Sequence, residues 1–342
     1  MKLDETAAEP APPEQVLDPD LPIVDAHHHL WPSGYWIPYD QHAYLRDLER
    51  GHRITATVFV ECGANYRRDG DPALRPVGET EFVTAACPHD PAAARTPGMA
   101  AGIVAWADLT QPAVAARTID AHLGAAGGRV RGIRHNVIWH RTPGIVKGQN
   151  FPARLLLDDQ FRAGLREVGA RGLSYDVWLF HEQLPELAET ADALPDQQFV
   201  LDHVGGPVPA QPDPRARAEI FARWSALLRD VARRPNIAVK IGGLGMPLHG
   251  FGHHELAVRP SSVDLAAAWR PYVETAIDAF GPQRCMFESN APIDKQSVSY
   301  DALWNAFKRI TAALSPTERT ALFSGTATRI YRLDEASANA AR

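Results

Sequence analysis

Eight short β-type runs, each followed by a stretch with apolar residues at helical spacing, most constrain what this chain can fold into. The runs are Ile23 to His27, Ala56 to Glu61, Ala101 to Ala107, Val130 to His135, Leu173 to Trp178, Phe199 to His203, Ile237 to Ile241 and Cys285 to Ser289. Strands alternating with helices are the sequence sign of a parallel sheet covered by helices. An open doubly wound sheet more typically has about five or six strands, whereas eight pairs with no strong internal linker close into one ring. The length of 342 residues suits a single barrel domain. The expected fold is an α/β protein, a single (β/α)8 TIM barrel with long βα loops over 21–334. A mobile N-terminal arm over 1–20 precedes it and a C-terminal tail over 335–342 follows.

The helical stretches each carry one apolar stripe. Examples are Phe161, Leu165 and Val168; Ile220, Trp224, Leu227 and Val231; and Val273, Ile277 and Phe280. Thr110 is placed to cap a helix opened by Pro112, and Ser315, Pro316 and Glu318 form a capping box. Three connections from strand to helix are long, at 63–78, 140–152 and 242–262. Loops of that length usually have a function, and in a barrel they overhang the active-site face.

Composition narrows the partners. The net charge is −6 and no dense Lys/Arg run occurs, so neither a nucleic acid nor an anionic membrane has electrostatic support, and a small molecule is the expected partner. Three cysteines, Cys62, Cys87 and Cys285, stand far apart with no C-x-x-C pair, which excludes a disulfide framework and a zinc knuckle. The first twenty residues have neither a basic nor an apolar region of a secretory signal, and no apolar run approaches the ~20 residues of a membrane span. The expected location is the cytoplasm.

Histidines mark the chemistry. In Asp25-Ala26-His27-His28-His29, strand alternation sends His27 and His29 to one face and His28 to the other. At the C-terminal end of a barrel strand this pair faces the mouth, where it can ligate a metal or hold a carbonyl and a water. His203 falls at the end of the sixth strand, before Gly205 and Gly206, and faces the same cavity. Arg134 and His135, at the end of the fourth, are anchors for a carboxylate or oxyanion, though alternation lets only one face inward. Asp176 and Trp178 on the fifth strand join the substrate-binding set.

With these residues in view, the chain resembles the amidohydrolase-related barrels that include sugar-lactone and 2-pyrone-4,6-dicarboxylate lactonases. The resemblance rests on Asp25 to His29, on Arg131-Gly132-Ile133-Arg134-His135, on Leu201-Asp202-His203-Val204-Gly205 and on Cys285-Met286-Phe287-Glu288-Ser289-Asn290-Ala291-Pro292. It implies a hydrolytic site in which His27, His29 and His203 polarise a carbonyl while a carboxylate on the eighth strand activates water. The aspartate it implies is Asn290 here, and an amide cannot accept a proton as a carboxylate does. Asp294 is the first choice of replacement, because it lies in the loop at the strand's end; Glu288 would point deeper, and Asp176 is a third candidate.

The same resemblance implies either no cofactor or one divalent metal such as zinc, held by His27, His29 and His203. The dinuclear members also use a bridging lysine, and because lysines are few, with only Lys240 on a strand, the seventh, a dinuclear centre is not expected. Barrels of this kind often pair, so a homodimer is compatible. The loop from Met246 to Glu255, with its glycines, Phe251 and three histidines, suits a lid or a subunit contact. Tyr66, Arg67, Arg68, Trp139 and His140 are placed to shape the pocket.

The expected activity is therefore opening of a lactone by activated water. No G-x-S-x-G elbow, phosphate loop or H-E-x-x-H occurs, and Gly242-Gly243-Leu244-Gly245 does not follow the dinucleotide fingerprint. Two alternatives stay open. One is a metal-dependent decarboxylase or amide hydrolase on the same barrel, distinguished by stoichiometric metal. The other is a barrel that binds a ligand without turnover, distinguished by rescue in Asn290→Asp.

Overall fold

The computed structural model describes residues 14–88, 98–142, 145, 151–207 and 214–333. The expected tail, residues 1–13 of the expected arm, and most of the 140–152 loop lie outside them.

Eight parallel strands form one sheet in chain order: β1 Ile23–His28, β2 Ile54–Val60, β3 Gly98–Ala105, β4 Val130–Arg134, β5 Ser174–Val177, β6 Phe199–Leu201, β7 Ile237–Ile241 and β8 Cys285–Phe287. The ring closes just past the regular ladders. There His28 and Ala291 form a parallel bridge, Asn290 N donates to His27 O at 2.9 Å and His29 N to Ala291 O at 2.8 Å. The helices that cover the ring are α1 Gln41–Leu48, α2 Val77–Ala86, α3 Pro112–Ala125, α4 Asp159–Ala170, α5 Leu184–Ala193, α6 Pro214–Val231, α7 Ser262–Phe280 and α8 Tyr300–Ile310. This is the expected (β/α)8 barrel. None of the described helices is long and apolar enough to cross a membrane.

Helix starts follow side-chain chemistry. Asp40, Asp158 and Ser299 accept backbone N–H groups at the starts of α1, α4 and α8, and Ser261 with Asp264 forms a capping box on α7. Ser315 and Glu318 form the predicted box after α8. Thr110 does not cap α3: its hydroxyl donates to Asp108 Oδ1 at 2.6 Å, and Gln111 takes the cap position without a side-chain bond.

Two apolar layers result. Outside the ring, α4 buries Phe161, Leu165 and Val168, and α7 buries Val273, Ile277 and Phe280, as their spacing predicts. On α6 the buried stripe is Trp224, Leu228 and Val231, turned by one residue from the expected one because Leu227 is only partly covered. Each such side chain, fully buried, contributes ~1.5–3 kcal/mol. Inside the ring, Val24, Val58, Val60, Val104, Val200 and Met286 pack with Ile330, Tyr331 and Leu333 of the C-terminal segment. Among the described residues that segment fills the N-terminal end of the barrel.

Residues 14–20, which composition placed in an arm, are held in the structure. Glu14 accepts from Ser262 N at 2.6 Å, Leu17 N donates to Asn305 Oδ1 at 2.9 Å, and Lys308 Nζ donates to Leu17 O at 2.6 Å.

Candidate active site

A cavity of about 800 Å³ opens at the C-terminal ends of the strands. Among its lining residues are His29, Glu61, Arg134, Trp178, His203 and Asn290, with Trp31, Trp36, Met246, Leu248 and Ile293 on the walls. Met246 and Leu248 belong to the glycine-flanked loop after β7, whose expected place over the mouth is where it lies.

Three histidines meet at the floor. His27 Nε2 and His29 Nε2 are 3.2 Å apart, and the His27 and His203 rings lie 4.7 Å apart between centroids. His29 Nδ1 sits 2.8 Å from Val60 O, a carbonyl that only accepts, so Nδ1 carries the proton and Nε2 offers a lone pair. His203 Nδ1 lies 2.7 Å from Glu288 Oε1, and the same oxygen accepts the His203 backbone N–H at 3.2 Å. His203 therefore also presents a lone pair at Nε2. His27 Nδ1 has two competing neighbours, Glu288 Oε2 at 3.0 Å and Lys240 Nζ at 3.3 Å. The carboxylate favours a proton on Nδ1 and the ammonium favours one on Nε2, so His27 is the ring free to change tautomer. Burial lowers the pKa of all three histidines, that of His203 to about 3, so each is neutral near pH 7.

Backbone strain fixes two of these groups. His203 and Val204 have φ of 53° and 49°, and Asn290 has 49°, in a region that non-glycine residues rarely enter and β-branched ones avoid. For this reason β6 and β8 end earlier than their apolar runs suggest, and His203 and Asn290 stand in turns that swing them over the floor. The glycines after β7 make room. A Cβ at Gly242 would lie 2.3 Å from Glu288 Cγ, one at Gly243 would lie 2.6 Å from the His203 ring, and one at Gly245 would meet the Asp294 carboxyl at 2.9 Å. The run that failed as a nucleotide motif is a cradle for the site's side chains.

Below and beside the histidines is a buried charge network. Arg134 donates from Nε to Glu61 Oε1 at 2.7 Å, from Nη2 to Glu61 O at 2.6 Å and from Nη1 to Asp202 Oδ2 at 3.2 Å. Lys240 Nζ reaches Asp176 Oδ2 at 2.7 Å and Asp202 Oδ1 at 3.1 Å, and Tyr331 OH donates to Asp176 Oδ2 at 2.6 Å. Burial works against the Asp202 carboxylate, but Lys240 and then His27 more than offset it and hold its pKa well below the usual range. Burial prevails at Glu288 and Asp176, whose pKa values rise.

The sequence-derived candidates divide accordingly. His27, His29, His203, Glu288, Asn290, Arg134 and Trp178 gather at or just beneath the cavity floor. Asp294 does not reach the mouth: its Oδ1 accepts from Asn290 Nδ2 and its Oδ2 from Gly245 N, both at 2.8 Å, and burial raises its pKa well above the usual range. It lies behind Asn290, because the positive φ there turns the chain back under the floor. Asp176 points into the barrel interior toward Lys240 rather than into the cavity. His135 faces outward, accepting from Leu109 N at 3.1 Å and packing on Trp106 and Phe161, so of the two neighbours only Arg134 faces in. Glu61, Asp202 and Lys240 are floor and network residues to which the sequence motifs assign no site role. Their position at or near C-terminal strand ends was the available signal.

The donor set suits one divalent cation. His27, His203 and Glu288 offer ligand atoms within 4.8 Å of one another, all buried, with the His29 Nε2 lone pair adjacent. Nitrogen and carboxylate donors of this kind are those of zinc sites that keep a position open for water. Glu288, not an aspartate at position 290, supplies the eighth-strand carboxylate.

Residues 24–333 match the amidohydrolase family, and the chain belongs to it. The uncharacterised protein y4mH of Sinorhizobium fredii is 33% identical over 334 residues, covering 92% of this chain and 99% of the relative. An L-fucono-1,5-lactonase of Burkholderia multivorans is 30% identical over 335 residues, covering 91% and 96%. A solved amidohydrolase from Burkholderia multivorans with bound zinc superposes with a TM-score of 0.69 at 28% identity, covering 91% of this chain and 99% of the other.

Proposed function

We propose that this protein hydrolyses a small lactone, a cyclic ester of a sugar acid or of an aromatic-degradation intermediate, by attack of activated water. The observation that carries the proposal is the Glu288 carboxyl, 2.7 Å from His203 Nδ1, which turns the Nε2 lone pair of a neutral His203 toward the cavity. A water hydrogen-bonded to Nε2 gives that nitrogen its proton as its oxygen attacks the lactone carbonyl. Glu288 holds the imidazolium so formed through the Nδ1–H bond, the role a buried carboxylate plays beside a catalytic histidine. Arg134 supplies the positive charge that faces the developing oxyanion. When the ring C–O bond breaks, His203 returns the proton to the departing ring oxygen, and a hydroxy acid leaves. A divalent ion held by His27, His203 and Glu288 would occupy the lone pair that His203 otherwise offers to water, and would supply Lewis acidity in place of that proton transfer. The lactone-named relative at 30% identity supports the choice of substrate class.

Because Glu288 stands against both imidazoles, loss of the aspartate at position 290 does not leave the barrel without a carboxylate, which disfavours a purely ligand-binding role. The test is a panel of sugar and aromatic lactones assayed by acid release. Opening of at least one member, abolished in His203→Ala, is the expected result. Failure to open any member, or an unimpaired His203→Ala variant, would sink the proposal.

A further inference from the structure

We infer that the substrate carries a second, largely apolar ring beyond the lactone ring, seated against Trp31 and Trp36; this rests on the lactone reading above. An aromatic ladder climbs from the reacting end to solvent. The His29 and Trp31 rings are 5.2 Å apart between centroids and the Trp31 and Trp36 rings 5.6 Å. With the reacting carbonyl at the His29 and His203 end, Trp31 is the first aromatic ring outward along this wall and Trp36 the second.

Trp36 nevertheless lines the same cavity, with 54% of its surface exposed. Among the described residues only three other large apolar side chains, Leu256, Val258 and Val263, are exposed, and none of them lines this cavity. An indole left open to water at the end of an aromatic wall gains most from a ligand that covers it. Size agrees. At about 800 Å³ the cavity falls in the ~300–1,000 Å³ range of sites that take drug-sized ligands, and Leu248, Ile145 and Ile293 add apolar wall.

The probes are 6-phenyl- and 6-methyl-tetrahydropyran-2-one, two lactones with alkoxide leaving groups of similar strength that differ by the second ring. The expected result is a kcat/KM about tenfold higher for the phenyl compound, the size of one good aromatic contact, with the two values brought together in Trp36→Ala and kept apart in Trp36→Phe. Equal values in the wild type, or a ratio untouched by Trp36→Ala, overturns the second-ring inference while leaving the lactone reading intact. Should neither lactone be opened, the lactone reading stands or falls on the panel of sugar and aromatic lactones above. The matching lactams, 6-phenyl- and 6-methylpiperidin-2-one, then decide the inference by calorimetry: a phenyl preference lost in Trp36→Ala supports the ring subsite, and equal binding overturns it.

Discussion

Replacing Glu288 by glutamine separates the two carboxyls that could serve the water, because the amide keeps the shape and removes the charge. Glu288 accepts from His203 at 2.7 Å through Nδ1 and 3.2 Å through the backbone, and its other oxygen lies 3.0 Å from His27 Nδ1. A hydrogen bond to a charged group contributes ~1.5–3 kcal/mol. The glutamine oxygen can still accept from one imidazole, but its NH2 cannot accept from the other and the charge is gone. At least one charge-assisted bond is therefore lost, ~1.5–3 kcal/mol, a fall of about 10–10² in kcat/KM. Asp294→Asn is the control. It still offers one oxygen to Gly245 N or Asn290 Nδ2, each now 2.8 Å from a carboxylate oxygen, so the expected loss is ~1 kcal/mol, less than about tenfold. Steady-state lactone opening by both variants is the assay, with thermal unfolding to confirm that each folds. A Glu288→Gln enzyme within tenfold of wild type, or an Asp294→Asn enzyme equally crippled, refutes the assignment of the base to the His203–Glu288 pair.

Two further outcomes are expected. Burial, then the nearby Glu61, raises the pKa of Glu79 to about 8, while its Oε1 accepts from Cys62 N at 3.1 Å and Ala64 N at 2.7 Å. An acid raised in the folded state contributes stability that is full below its unfolded pKa, near 4.5, and is lost as pH climbs through 8. Glu79→Gln removes that titration, so its urea midpoint relative to wild type should rise between pH 5 and pH 9; a constant difference across that range would contradict the shift. For the metal, chelator-treated protein titrated with zinc in a calorimeter should bind one ion per chain, with binding lost in His203→Ala. Undiminished binding by that variant would rule out the His27, His203 and Glu288 donor set.

Much of this was legible in the sequence, for reasons of period. Two-residue alternation put His27 and His29 on one face and allowed only one of Arg134 and His135 inward, and helical spacing on α4 and α7 picked out the buried stripes. What escaped depends on neighbours distant in sequence. Lys240, Asp176 and Asp202 each sit on or just past a strand, but their pairing is set by the register of β5, β6 and β7, which no local pattern encodes. Asp294 was misplaced because the positive φ at Asn290 reverses the chain, and asparagine tolerates that conformation without requiring it. The glycines at 242, 243 and 245 had no meaning until Glu288, His203 and Asp294 were known to press against them.

The charge network bears on the choice between a metal-free and a metal-holding floor. Four carboxyls, Glu61, Asp176, Asp202 and Glu288, share the interior with two cations, Arg134 and Lys240, and all six are buried. Fully ionised, the group would carry excess negative charge in a low-dielectric interior, where unpaired charge is costly. Protons can relieve it, and the raised pKa values of Asp176 and Glu288 are that tendency. A divalent cation beside Glu288 relieves it equally, displacing protons as it binds. Glu288 is thus the group through which either state is reached. Protonated, it can no longer accept from both histidines; ionised, it either orients His203 for proton transfer or ligates an ion. Zinc binding that releases protons as pH falls toward the raised Glu288 pKa is what a floor balanced between these two states requires.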